Sequence, residues 1–318
     1  MLPLLLLAPL VLAGCDGPQS ALDPAGHEAT AVAQLFWAML VAAGIIWLLV
    51  MAIALYAARG RHAPWAAQRA GRFILICGAL VPTALLAVLL VFGLRLMPAL
   101  RAPGEGLRIA VQGEQFWWRV RYDLPGGGSF DSANEIVLPV GRRTEFLLTA
   151  QDVIHSFWVP PLGGKMDMIP GTTNRLVLEP SRTGTFHGVC AEFCGASHAL
   201  MTLRVVVVEP EEFTAWAARQ AGPASVPGGA GAALFMAQGC GACHTVRGTA
   251  AAGRIGPDLT HLGGRDRLAA GILPNTLPEI DRFIRQVREI KPAARMPSFD
   301  MLAEHESAAI AAWLGSLR

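Results

Sequence analysis

Two stretches of the chain are apolar without interruption. Residues 31–58 carry no charge, with Gln34 the only side-chain amide, and residues 73–94 carry no charge either. Each exceeds the roughly 20 residues that an α-helix needs to cross a hydrocarbon layer. The pattern therefore predicts a two-helix transmembrane hairpin over residues 31–97. The connector holds Arg59, Arg61, His62, Arg69 and Arg72. Positive residues stay on the cytoplasmic side, so both ends of the hairpin, and everything after about residue 97, are expected outside. Pro82 falls within the second run, where a neighbouring helix could cover the carbonyl it frees. Cys77 reads as a small apolar residue.

From 103 to 208 the pattern changes to short β-rich runs, among them Leu107–Val111, Glu145–Thr149, Arg175–Leu178 and Leu203–Val208. Turn signals such as Pro125-Gly126-Gly127-Gly128 separate them, which predicts an all-β sandwich or barrel. Residues 209–229 read as a short amphipathic helix opened by Pro210-Glu211-Glu212, followed by a Gly- and Pro-rich linker. In the last segment, 230–318, Ile310, Trp313, Leu314 and Leu317 form a helical stripe within residues 303–317.

Composition agrees with a membrane protein, since 53% of the 318 residues are hydrophobic. A formal net charge of +2, with no basic patch among aromatics, gives no argument for nucleic acid as a partner. Residues 1–14 are an apolar run too short to span, similar to a signal-peptide core. The run ends at Leu12-Ala13-Gly14-Cys15, which resembles a bacterial lipobox and would make Cys15 the lipid-bearing start of an outer segment, residues 15–30. No Lys or Arg precedes the run, a departure from that pattern. An ordinary signal peptide with a chance cysteine is the other reading.

The six cysteines include two close pairs. Cys190-Ala191-Glu192-Phe193-Cys194-Gly195-Ala196-Ser197-His198-Ala199-Leu200-Met201 offers two thiols, an imidazole and a thioether within twelve residues. Thiolates and thioethers suit copper, and imidazole suits several transition metals. A second imidazole must come from elsewhere, and His155, in Asp152-Val153-Ile154-His155-Ser156-Phe157-Trp158, is the candidate. The pair could instead form a disulfide or half of a zinc site. A disulfide gives His198 and Met201 no purpose, and zinc rarely takes a thioether.

Cys240-Gly241-Ala242-Cys243-His244 has the C-x-x-C-H spacing of c-type haem attachment. A bare C-x-x-C could be a redox or zinc pair, but the adjacent histidine and the outer location favour haem. A haem that only transfers electrons needs a second ligand. Met296, in Ala294-Arg295-Met296-Pro297, stands ahead of Met236 and Met301. His27, His62, His187, His261 and His305 fall in no ligand pattern.

Across the hairpin and the β segment the chain resembles subunit II of haem–copper cytochrome oxidases. That resemblance implies a cupredoxin-like fold. It also implies a binuclear copper centre (CuA) in which Cys190 and Cys194 bridge two copper ions, with His155, Met201, His198 and the Glu192 carbonyl completing the set. The Glu192 side chain would reach a magnesium ion shared with subunit I. Gly113-Glu114-Gln115-Phe116-Trp117-Trp118 resembles the family's aromatic electron-input patch, although Phe116 stands where tryptophan is common. Around Leu75 the family often has a proton-channel glutamate, and Phe73-Ile74-Leu75-Ile76 has no carboxylate. Residues 230–318 resemble a small all-α class I cytochrome c, with Ile255-Gly256-Pro257-Asp258-Leu259 like the loop beside its haem histidine. The fusion is that of caa-type oxidases.

The resemblance implies a subunit in a bacterial inner membrane with its cofactors on the periplasmic face. Subunit I, subunit III, membrane lipid and an external donor such as cytochrome c or a cytochrome bc complex would be its partners. Oxygen reduction and proton pumping would take place in subunit I. A copper-containing nitric oxide reductase, or a membrane-anchored electron carrier, would share the same site residues.

Overall fold

The computed structural model describes residues 16–60, 65–225 and 228–318. Cys15, the segment before it, Arg61 and His62 lie outside the described residues. The described residues form two units: residues 31–102, and a second unit made of 103–318 with residues 16–30.

The apolar runs form helices. Helix α1 spans His27–Arg59. Helix α2 (Ala67–Leu75) passes through a π-helical turn at Ile76–Leu80 into α3 (Val81–Arg101). Both spans extend past the apolar runs into charged ends, because a formed helix propagates cheaply through any compatible residue. Their large apolar side chains, Leu48, Trp47, Leu86 and Val88 among them, are exposed to the surroundings. Such surfaces suit lipid, and all-helical backbone is what a hydrocarbon layer demands. At Pro82 the chain itself adjusts. The Val81 N–H reaches back to the Ile76 carbonyl, one residue further than in an α-helix. A π-helical turn thus directly precedes Pro82.

The β segment is a two-sheet sandwich. Strands β1 (Arg108–Glu114), β2 (Trp117–Asp123), β3 (Ser129–Ala133), β4 (Glu135–Pro139) and β5 (Thr144–Ala150) come first. Strands β6 (His155–Trp158), β7 (Met166–Met168), β8 (Asn174–Leu178), β9 (Gly184–Cys190) and β10 (Thr202–Val208) follow. One sheet runs β3-β2-β1-β5-β8 and the other β4-β10-β9-β6-β7. Burial alternates along β5 and β10, as expected for strands with one face on a core. The core is aromatic: Phe157 meets Trp118 edge-on at 5.9 Å, and Phe146 lies 5.5 Å from Phe157. Tyr122 is fully buried, and its hydroxyl both accepts from the Val137 N–H (2.8 Å) and donates to the Val137 carbonyl (3.2 Å).

Two flanking segments complete this body. Residues 18–28 run along the sandwich through backbone bonds such as Ala25 N–H to the Pro161 carbonyl, and the buried Glu28 pairs with Arg143 at 3.2 Å. Helix α4 (Pro210–Ala221), in the expected linker, buries Phe213 and Ala217 in the sandwich core and sets Trp216 against Tyr122.

The last segment is a small helical body. Helices α5 (Ala230–Ala237) and α6 (Cys240–Cys243) precede a short ribbon of β11 (Arg267–Leu268) and β12 (Leu273–Pro274). Helices α7 (Leu277–Arg285), α8 (Val287–Ile290) and α9 (Glu304–Ser316) follow. The expected stripe on α9 is buried, with Trp313 packed 4.9 Å from Phe235 of α5.

Removing the Tyr122 hydroxyl strands a buried N–H. Tyr122→Phe is expected to cost about 1–3 kcal/mol, read as a lowered urea midpoint by tryptophan fluorescence. An unchanged midpoint would mean that the Val137 bonds contribute nothing net.

Candidate functional site

The soft-ligand segment links β9 to β10 at one end of the sandwich. Cys190 closes β9, and Met201 directly precedes β10, so the two meet across the ladder, where Cys190 N–H donates to the Met201 carbonyl at 3.0 Å. The turn between them doubles back, and His198 N–H caps the Gly195 carbonyl at 3.0 Å. His155 enters from the start of β6, the strand beside β9, where Phe157 pairs with Cys190.

All the sequence-predicted donors converge here. The Cys190 and Cys194 sulfurs are free thiols 3.8 Å apart. His155 Nδ1 lies 3.7 Å from Cys190, and His198 Nδ1 lies 3.6 Å from Cys194. The Met201 sulfur is 3.9 Å from Cys194, and the Glu192 carbonyl is 3.2 Å from Cys190. His155, Cys190, Cys194 and Met201 are buried, whereas the Glu192 side chain is exposed and Phe193 is 76% exposed.

The contact between the thiols lowers the pKa of Cys190 and raises that of Cys194, so one charge is easy to form and a second is not. Burial disfavours a charged His155, but hydrogen bonds to Cys190 and Asp152 outweigh it and raise its pKa. Asp152 Oδ1 lies 2.9 Å from His155 Nε2, which leaves Nδ1 to face the thiols. Partial burial works against the Asp152 carboxylate. Bonds from His155 and from the Gln115 and Val153 N–H groups overcome it and lower the pKa. Gly113 gives the ring room, since a Cβ there would come within 2.8 Å of it. A buried cluster of two thiols, two imidazoles, a thioether and a carbonyl suits thiolate-bridged copper.

The second site is a cavity of about 340 Å³. Cys240, Cys243 and His244 line it from α6 and the residue after it, and Met296 lines it from the loop before α9. His244 Nδ1 lies 2.8 Å from the Pro257 carbonyl, which requires a proton on Nδ1 and leaves a lone pair on Nε2. Burial keeps this ring neutral by lowering its pKa. Gly256 packs against the ring, where a Cβ would come within 2.6 Å. Otherwise the lining is mostly apolar, but it includes Arg265, Arg267, Lys291 and Arg295 and, among the described residues, no carboxylate. Burial pushes the Lys291 ammonium down to about 7, and its bond is to the Ala269 carbonyl at 2.9 Å. Apolar walls with cations among them, Lys291 buried, fit a flat apolar ring that carries anionic groups, as haem does. Met236 and Met301 are exposed and do not line the cavity.

The two sites share one seam. Ser197 Oγ, in the thiol loop, donates to the Pro292 carbonyl at 2.6 Å, and Thr202 Oγ1 donates to the Ala270 carbonyl at 2.5 Å. Arg295, next to Met296, reaches Asp152 at 3.5 Å. Of the aromatic patch, Phe116 and Trp117 line the cavity from the sandwich side. Trp118 is instead buried in the core, with its indole N–H donating to the Thr202 carbonyl at 3.1 Å. Sequence reading missed Gln115, Lys291 and the orienting role of Asp152. Of these, only Asp152, three residues before the candidate His155, carried a readable signal.

Two family descriptions match. "Cytochrome C oxidase subunit II, periplasmic domain" covers residues 128–209, and "Cytochrome c" covers residues 229–318. Cytochrome c oxidase subunit 2 of Alkalihalophilus pseudofirmus is 35% identical over 100% of this chain and 96% of its own length. The Bacillus subtilis protein of the same name is 29% identical over 99% of this chain and 96% of its own. The solved periplasmic domain of subunit II of cytochrome oxidase from Bradyrhizobium japonicum is 36% identical, covering 37% of this chain and 95% of that domain, with a TM-score of 0.35. Similarity to the relatives extends across the hairpin, the sandwich and the helical body together, and the chain belongs to the cytochrome c oxidase subunit 2 family, in the form that carries a fused cytochrome c domain.

Proposed function

We propose that this subunit takes electrons from an external donor at a haem c and delivers them, through a binuclear copper centre, to subunit I for oxygen reduction coupled to proton pumping. The observation that carries the reading is the convergence of the His155, Cys190, Cys194, His198 and Met201 donors beside a C-x-x-C-H cavity, across one seam. When bound, the haem and the copper pair each accept and release a single electron.

The roles of the residues follow from their chemistry. Cys190 and Cys194 would hold the copper pair through their thiolates, which would suit a shared single electron. His155 with Met201, and His198 with the Glu192 carbonyl, would complete the two ions. These side chains and the carbonyl would hold the copper without a substrate, which would suit electron transfer over chemistry. Asp152 orients His155, and the surrounding Phe157 and Trp118 keep water away. Cys240 and Cys243 would bond the haem, His244 Nε2 and Met296 would take its iron, and Lys291 and Arg265 would face its anionic groups.

The exposed Glu192 carboxylate is free to reach a magnesium ion at the contact with subunit I. Domain limits follow the same reading: a leader at 1–14, an outer segment at 15–30, the hairpin at 31–97, the copper domain at 103–208, a linker at 209–229 and the cytochrome domain at 230–318. Cys15 would carry lipid, and the hairpin would sit in a bacterial inner membrane with both cofactor domains periplasmic. Subunit III and a cytochrome c or cytochrome bc donor complete the partners.

Asp152→Asn is expected to lower copper affinity about 10–100-fold, measured by competition with a chelator. Unchanged affinity would remove Asp152 from the site. The function itself is tested on the intact complex, purified through a tag after Arg318 and fed a reduced artificial donor. Rapid cyanide-sensitive oxygen uptake is expected. Negligible uptake, with copper and haem both spectroscopically present, would contradict the reading and favour nitric oxide as the acceptor.

A further inference from the structure

Gln115 lies at the start of the turn between β1 and β2 and belongs to neither ligand set. The residue nevertheless touches both sites. The amide Nε2 donates to the Cys194 carbonyl at 2.5 Å, and the residue lines the haem cavity together with Met296 and Lys291. Its backbone is fixed as well, since the Gln115 N–H donates to Asp152 Oδ2 at 2.8 Å. Asp152 is the carboxylate that orients His155 and meets Arg295 from the cytochrome side.

Gly195 makes the approach possible. A Cβ at this position would lie 2.9 Å from Gln115 Nε2 and 3.2 Å from the Phe116 ring, and its φ of +128° also favours glycine. The thiol loop therefore presents bare backbone toward the cavity, and Gln115 fills the approach.

Electronic coupling decays steeply across empty space and much less along bonds. A hydrogen bond couples better than a simple contact because its donor and acceptor interpenetrate. From the Gln115 amide the bonded run continues through the Cys194 carbonyl, Cα and Cβ to the thiol. Phe116 is the rival, as its ring lines the same cavity and lies against Gly195, but without a hydrogen bond to the loop.

We propose that Gln115 is the bridge that couples the haem cavity to the copper donors, a positioning residue for transfer between the two sites. The proposal rests on the assignment of haem and copper to these sites given above. One electron leaves the reduced haem iron and reduces the copper pair by one. No covalent bond breaks and no proton moves, so the side chain contributes coupling alone.

The test uses the full chain in detergent, loaded with haem and copper. The haem is reduced by a laser flash through a photoreductant, and its reoxidation is followed beside the copper absorbance. Gln115→Leu keeps the bulk and removes the donor. Haem-to-copper transfer should slow several-fold while both midpoint potentials and the copper spectrum stay unchanged, and Phe116→Leu should slow it less. If Gln115→Leu transfers at the wild-type rate, or Phe116→Leu is the slower, the bridge is overturned. It is equally overturned if the rate falls only together with a shifted copper potential or spectrum, because Gln115 would then be structural. Should Gln115→Leu fail to load copper, Gln115→Ser, which is too short to reach Cys194, is judged by the same criteria. If the wild-type chain itself shows no transfer, the cofactor assignment fails rather than the bridge.

Discussion

Two thiols held 3.8 Å apart in a buried pocket cannot both carry charge unless positive charge is bound against them. The unit that holds them is organised around that constraint. The ladder between β9 and β10 fixes Cys190 opposite Met201. The neighbouring β6 supplies His155, and a carboxylate behind the ring turns its Nδ1 inward. The aromatic core beneath, Trp118 against Phe157, excludes water from the inner side. Each device raises the cost of leaving the thiols uncompensated and so favours metal.

The haem cavity reverses that balance of charge. Cations line it without a carboxylate among the described residues, and burial already depresses Lys291. One site calls for cations and the other for anions, and a polar seam joins them. The seam places Arg295 of the cytochrome side beside Asp152 of the copper side. It also covers Phe116 and Trp117 with the chain's own cytochrome body, so the patch that resembles a donor surface faces inward. A tethered cytochrome domain stands at high effective concentration beside that patch.

Much of this was legible in the sequence because the signals are local. Uncharged runs mark the spans, β-rich runs between turn signals mark β5 and β10, and the Cys190–Met201 and Cys240–His244 segments carry most of their ligands within a few residues. What the sequence hid is non-local. Gln115 gains meaning only when the β1–β2 turn lands on Gly195, some eighty residues away. Lys291 reads as an ordinary lysine until the fold buries it in the cavity wall. Trp118 looked like part of a surface patch, but strand alternation turns it inward while Trp117 faces the cavity. The π turn at Ile76–Leu80, just before Pro82, is a feature that periodicity does not reveal.

The central claim is a shared-electron copper pair on the same chain as a covalent haem. The most direct measurement is electron paramagnetic resonance on the oxidised full-length chain, with copper and haem iron counted per polypeptide. Two coppers for each haem are expected, with a copper signal whose hyperfine pattern comes from two equivalent nuclei. A pattern from a single copper nucleus, or a chain that binds zinc in its place, would contradict it.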